Sequence, residues 1–395
     1  MRRVSNSSSG FSLIELIITA CIGAMLVAAA AMLFNKGTQM AWVTSQRAEL
    51  QEDFRAASNL LQRDISLAGA GALGQTGLST NAVALANGGA AVTPIYPCSI
   101  VGTVSCTYIG GGSVSYPSYN GGTPSIYSII PGTNLGITVT AAQGPTDIIT
   151  LNYADINLPL NCYTATLTAT DVVTFTLPAT QNSNCLLPVG ATYGVNNQPP
   201  GLIWGSANPY GLQPGDMILF GADTAIGVVT SVANCGANCY AVTFGTDPGK
   251  INQPGVATSG TLLAAAGAVG NTMPALMSRL LSVTYYLAIP TATNLPTLFR
   301  IQNGQPPAPV AENVVYLKFC YDVITTSGVV ATCQSPLPAG DSPTMITKVN
   351  ILHMSMRSQN RDAWSKSSLS QYGGYEGLDL QTSIAVRNMT MQNEY

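Results

Sequence analysis

The chain has 395 residues, 46% of them apolar and only 8% charged, against about 25% charged in an average soluble domain. That much apolar material excludes disorder driven by low hydrophobicity, and a net charge of −3 argues against nonspecific nucleic-acid binding. The single histidine excludes a multi-histidine metal site, and 39 glycines with 24 prolines point to turn-rich β structure in one large domain with additions, or in two to three domains.

The first ten residues, Met-Arg-Arg-Val-Ser-Asn-Ser-Ser-Ser-Gly, are polar and carry Arg2 and Arg3. A long apolar run follows. From Leu16 to Phe34 no residue is charged, which as helix spans roughly 28 Å, close to the ~30 Å bilayer core. Arg2 and Arg3 place the leader in the cytoplasm and everything after the run outside the inner membrane. A secretory signal cut near Ala28-Ala29-Ala30 and an uncleaved anchor both fit this pattern. Neither has a use for Glu15. A carboxylate inside such a run costs about 2.5–3.5 kcal/mol even on mild insertion scales, so a functional reason is the default.

The segment Gly10-Phe11-Ser12-Leu13-Ile14-Glu15-Leu16 resembles the processing site of type IV prepilins and pseudopilins. The resemblance implies a prepilin peptidase that cuts after Gly10 and methylates the new amino terminus at Phe11. It implies that Glu15 pairs with the N-terminal amine of a neighbouring subunit in a filament. A buried carboxylate and a buried ammonium are each costly alone and far less so together.

Beyond the membrane the helix is expected to continue to Ala68. Val43, Leu50, Phe54, Ala57, Leu61, Ile65 and Ala68 form one stripe at spacings of three, four or seven, interrupted by Arg47. The stripe is expected to pack on the protein's own head. Gly37 is a plausible bending point, and Gly69-Ala70-Gly71 ends the helix. Residues 69–145 read as a Gly/Ser/Thr-rich insertion, uncharged from residue 74 on, and 146–395 as a β-rich head.

The head reads as strands separated by Gly, Pro and Asn clusters: Asp147–Tyr153, Asp171–Leu177, Gly215–Leu219, Tyr240–Phe244, Ser282–Leu287, Leu298–Arg300, Glu312–Tyr321, Ile346–Met356 and Ser383–Asn388. Several of these, with Leu61–Gly69 at the helix end, resemble in order the PilW-like group of minor pilins. The chain departs from that group in having Ala72-Leu73-Gly74 where a cysteine is common, and in the size of its head.

Residues 65–249 contain no Lys or Arg but do contain Asp147, Asp155, Asp171, Asp216, Asp223 and Asp247. This stretch is expected to be held by burial, hydrogen bonds and crosslinks rather than by salt bridges. The crosslinks are expected from cysteines. Cys21 lies in the apolar run as a small hydrophobe. The other eight fall in near neighbours, giving the expected pairs Cys98–Cys106, Cys162–Cys185, Cys235–Cys239 and Cys320–Cys333. A four-thiolate zinc site is the weaker reading, because no C-x2-C spacing occurs. Disulfides imply an oxidising compartment.

Catalytic patterns are missing from the sequence. His353 sits in a strand-like run, Asp216 follows Pro214-Gly215 as a turn residue, and neither a nucleophile elbow nor a calcium loop is found. The expectation is therefore an α+β protein without enzymatic activity, cofactor or metal: a long N-terminal helix, membrane-spanning over 11–34 and amphipathic over 35–68, on a disulfide-stabilised β head. The resemblance implies a minor pilin whose partners are the prepilin peptidase, the major pilin, other minor pilins, inner-membrane lipid before assembly and a tip adhesin. It would wait as a single-pass inner-membrane protein before reaching the cell surface. A type II secretion pseudopilin and a pilin-stalked adhesin or DNA receptor are the alternatives.

Overall fold

The computed structural model describes residues 12–70, 86–87, 90–91, 127–139, 143–155, 158, 160–178, 180, 185, 202–203, 211–221, 224–236, 238–246, 251–252, 254–257, 260–303, 305–325, 327–337, 346–357 and 377–386. Two compact units divide the chain, residues 1–52 with 358–376 and residues 53–357 with 377–395.

One helix, α1 (Leu13–Leu67), begins in the first unit. It contains no proline and stays helical through Gly37. Within its stretch Leu13–Trp42 the most apolar 18-residue window has mean hydropathy 2.5, and none of that window is buried within the protein. Such an all-round apolar surface, uncovered by protein, suits lipid or neighbouring helices.

In the second unit α1 runs on from Asp53. Ala57, Leu61 and Ile65 of the expected stripe are fully buried, Phe54 is half-buried, and Arg55 and Arg63 face solvent. Gly69 then ends the helix at φ +76°, a left-handed value that favours glycine. Its amide donates to the Asn152 carbonyl (2.8 Å), and the Ala154 amide donates to the Ala70 carbonyl (2.8 Å).

Strands β1 (Ala86–Asn87) and β2 (Ala90–Ala91) form a two-residue antiparallel ladder. After them come β3 (Ile129–Gly132), β4 (Ile148–Asp155), β5 (Thr164–Ala169), β6 (Val172–Thr176), β7 (Met217–Phe220) and β8 (Ala225–Val228). Next are β9 (Ser231–Gly236), β10 (Cys239–Thr243), β11 (Met277–Ala288), β12 (Thr297–Gln302) and β13 (Ala308–Glu312). The last four are β14 (Val314–Ile324), β15 (Val330–Gln334), β16 (Ile346–Arg357) and β17 (Gly377–Ala385). β3 falls inside the range 69–145 expected to be an insertion, yet it is an integral strand of the central sheet.

That central sheet has seven strands in the order β13-β12-β11-β4-β3, with β7 paired to β11 and β8 to β7. Along one side of β11, β7 pairs with Met277–Leu280 and β12 with Val283–Ala288; β4 occupies the other side. A second sheet, β5-β6-β10-β9, meets the central one through Phe175, Phe220 and Phe244, whose neighbouring rings lie 6.4 and 5.9 Å apart. Gly227 on β8 permits this approach, since a Cβ there would sit 2.5 Å from the Phe244 ring. The third sheet runs β15-β14-β16-β17. The result is α+β: an apolar N-terminal helix and a mostly β head with disulfides.

Candidate functional site

Gly10 and Phe11, the expected cleavage and methylation positions, lie outside the described residues. Glu15 stands in the first turn of α1, exposed, with its backbone amide bonded to the Ser12 carbonyl (3.0 Å). Thr19 returns its hydroxyl to the Glu15 carbonyl (2.9 Å), so these polar groups are satisfied locally. The carboxylate therefore projects among Leu13, Ile14, Leu16, Ile17 and Ile18, all exposed. A charge on such a surface calls for a cation once the surface is covered by hydrocarbon.

At the other end of α1, Asp64 is 2% exposed and gathers three donors from three strands. Tyr153 on β4 donates to Oδ1 (3.2 Å), while Tyr285 on β11 (2.7 Å) and Arg300 on β12 (2.8 Å, from Nε) donate to Oδ2. Burial, reinforced by the Asp64 charge, pushes the Tyr153 phenol up to about 12. The same causes raise Tyr285. Burial alone would lower the Arg300 guanidinium, but Asp64 outweighs it and holds it above its ordinary value. Both phenols thus stay neutral donors at physiological pH.

The expectation that the cation-free stretch makes no salt bridges is wrong. Its aspartates recruit cations from the C-terminal third of the chain. Arg279 binds Asp155 through Nε (2.9 Å) and Nη2, and Asp216 through Nη1 (3.2 Å). Asp216 caps a turn by accepting from the Gln213 amide (3.1 Å), as expected of a turn residue, but it is also buried and accepts from Asn303 (2.9 Å). Asn303 in turn binds the Ser282 amide through its side-chain oxygen (2.7 Å), closing the gap on β11 between β7 and β12. Burial pushes the Asp216 carboxyl above its usual range, against the pull of Arg279 and the amide donors. Asp147 is the third case, accepting from Lys318 Nζ (2.8 Å) and from the Asn134 (2.8 Å) and Phe319 (2.9 Å) amides.

These partnerships were missed because the residues lie 63 to 236 positions apart. A usable signal existed. In a chain with so few charges, an Asp or Arg inside an apolar strand has to be paired.

His353 is partly exposed, with Nδ1 2.8 Å from Asp379 Oδ2 and its ring 5.7 Å from that of Tyr316. Ser355 donates to the other Asp379 oxygen (2.7 Å). A serine, a histidine and an aspartate therefore meet, but the aspartate is the hub. Ser355 donates its hydrogen bond to Asp379 and not to His353, so the three are not arranged as the serine–histidine–aspartate relay of a triad. No group of three or more metal-ligating side chains occurs among the described residues.

The cysteines join as Cys162–Cys185, Cys235–Cys239 and Cys320–Cys333, and Cys21 is free and exposed on the apolar helix. Cys98 and Cys106 lie outside the described residues. The sequence matches no family model, no curated protein and no solved structure.

Proposed function

We propose that the chain is a minor pilin: a prepilin-type precursor, anchored by its N-terminal helix, then incorporated into a type IV pilus where it helps initiate assembly within the tip complex. One observation carries the reading. Glu15 is the sole charge between Leu13 and Phe34, on a helix surface left bare of protein, directly after the prepilin-like Gly10-Phe11 junction. An anchor needs only the apolar surface. A filament subunit needs the carboxylate as well, because lateral packing of such helices buries it and demands a neighbour's amine.

The rest of the molecule is consistent with this use. The three disulfides among the described residues suit an oxidising compartment outside the cytoplasm, and Arg2 and Arg3 orient the head there. The helix continues into the second unit, where its buried stripe and Asp64 make it the stem of the head. Partners in this reading are the prepilin peptidase, the major pilin, other minor pilins and a tip adhesin.

Intact mass and N-terminal sequencing of the protein from membranes or sheared filaments test it. A chain beginning at N-methylated Phe11 is expected. A chain beginning near Ala31 would remove Glu15 and the filament mechanism with it.

A further inference from the structure

We propose that Asp64, with Tyr153, Tyr285 and Arg300, is a latch that holds the helical segment after Asp53 on the central sheet and lets it release without the sheet unfolding. The apolar part of this docking is partial. Of the segment's large apolar side chains only Leu61 and Ile65 are fully buried; Phe54, Leu60 and Leu67 are half-buried, and Ala57, Ala68 and the mostly buried Ser58 add little area. Full burial of a large apolar side chain contributes about 1.5–3 kcal/mol. The charged cluster adds a directional share of the attachment that the apolar contacts lack.

The cluster is also built to come apart along one seam. Part of its sheet side keeps its partners without the helix: Arg300 Nη1 binds Gln302 on its own strand (3.1 Å), Nη2 reaches the Tyr153 hydroxyl (3.5 Å), and the side chain is 20% exposed to water. The Tyr285 hydroxyl and Arg300 Nε, bonded to Asp64, turn to water on release. Its helix side is a single carboxylate, which water can solvate on release. The Asp155–Arg279–Asp216 cluster offers the contrast, since all three side chains are at most 8% exposed and both acids sit on or beside strands of the sheet. Downstream, Gly69 and Ala70 remain tied to β4 by two backbone hydrogen bonds, and the positive φ of Gly69 marks the pivot. The use of the latch rests on the pilin reading. There, tension on the helix is borne at Asp64 while it is engaged and passes to the Gly69–Ala70 ties to β4 once it releases.

Hydrogen exchange of the full chain in detergent micelles, read by mass spectrometry, tests the latch. In Asp64→Asn the amides of 53–67 are expected to exchange at least about tenfold faster, the loss of a charged hydrogen bond, with β4, β11 and β12 of the central sheet unchanged. Tyr285→Phe, which removes one donor, should give a smaller rise in the same place, and it decides the matter alone if Asp64→Asn does not fold. Equal acceleration in segment and strands, or none in the segment, overturns the proposal. The N-terminus of the mature chain is read separately, so failure of the pilin reading leaves the exchange result standing.

Discussion

Asp147 and Phe319, 172 positions apart, are joined by a 2.9 Å hydrogen bond from the Phe319 amide to the Asp147 carboxylate. The same residue's amide donates to the Leu317 carbonyl (2.9 Å), so Asp147 pairs with β14 ahead of Tyr321, where the described part of β15 begins its pairing. Lying just ahead of β4, it ties the central sheet to the third sheet.

The tie predicts an asymmetry. Asp147 is 1% exposed and serves two backbone amides and one ammonium, whereas the Lys318 side chain is 14% exposed. Removing the acid strands the buried Phe319 amide and leaves the Asn134 amide and the Lys318 ammonium without their carboxylate, so Asp147→Ala should cost about 3 kcal/mol. Lys318→Met leaves the acid its two amide donors and should cost less, about 1–2 kcal/mol. Chemical denaturation of the two variants checks this, and equal losses would contradict the bridging role.

Alkaline titration probes the Asp64 cluster. The Tyr153 phenol is raised to about 12 in the folded protein by burial and by Asp64. Below pH 10 both folded and unfolded phenols are neutral, and the contribution to stability is complete. As pH rises from 10 to 12 the unfolded phenol ionises while the folded one does not, so stability falls. The melting temperature should therefore drop over that window, and Tyr153→Phe should flatten the drop. A wild-type profile that is level to pH 12 would contradict it.

The disulfides should differ in value by the loops they close. Cys162–Cys185 spans a separation of 23 and Cys235–Cys239 a separation of 4. On the chain-entropy account the longer loop stabilises more by about 1.5 kcal/mol. Paired Cys→Ser variants, compared by denaturation under oxidising conditions, read the difference directly.

How much of this was legible in the chain depends on the range of the forces involved. Helix α1, the strands around Ile148–Asp155 and Ile346–Arg357, and the near-neighbour cysteine pairs follow from local periodicity and spacing. The polar clusters do not. Asp64 lies on the helix, but its donors come from three strands whose order in the sheet no local pattern encodes. β3 escaped for a related reason. Its Ile-Ile-Pro-Gly is too short to alternate and holds a proline, which only an edge position tolerates. Asp216 was read by its turn-forming neighbours, and its second role depended on Arg279 and Asn303 arriving from far along the chain.

The filament reading turns on Glu15, and the structure sharpens what its removal should do. The side chain is exposed in the first helical turn, and its hydrogen bonds to Ser12 and Thr19 run through the backbone. Glu15→Ala therefore removes no internal support, and alanine is the stronger helix former. Membrane insertion should improve, because an acid leaves the apolar run. Folding of the head and cleavage after Gly10 should be unaffected. What disappears is the partner for a neighbour's terminal amine, left buried and unpaired once helices pack. The variant should thus accumulate in membranes as processed protein and be depleted from sheared filaments, which immunoblotting of the two fractions would show. Gln at the same position keeps the shape without the charge and should fail in the same way. Wild-type amounts of the alanine variant in filaments would mean that the carboxylate has another purpose.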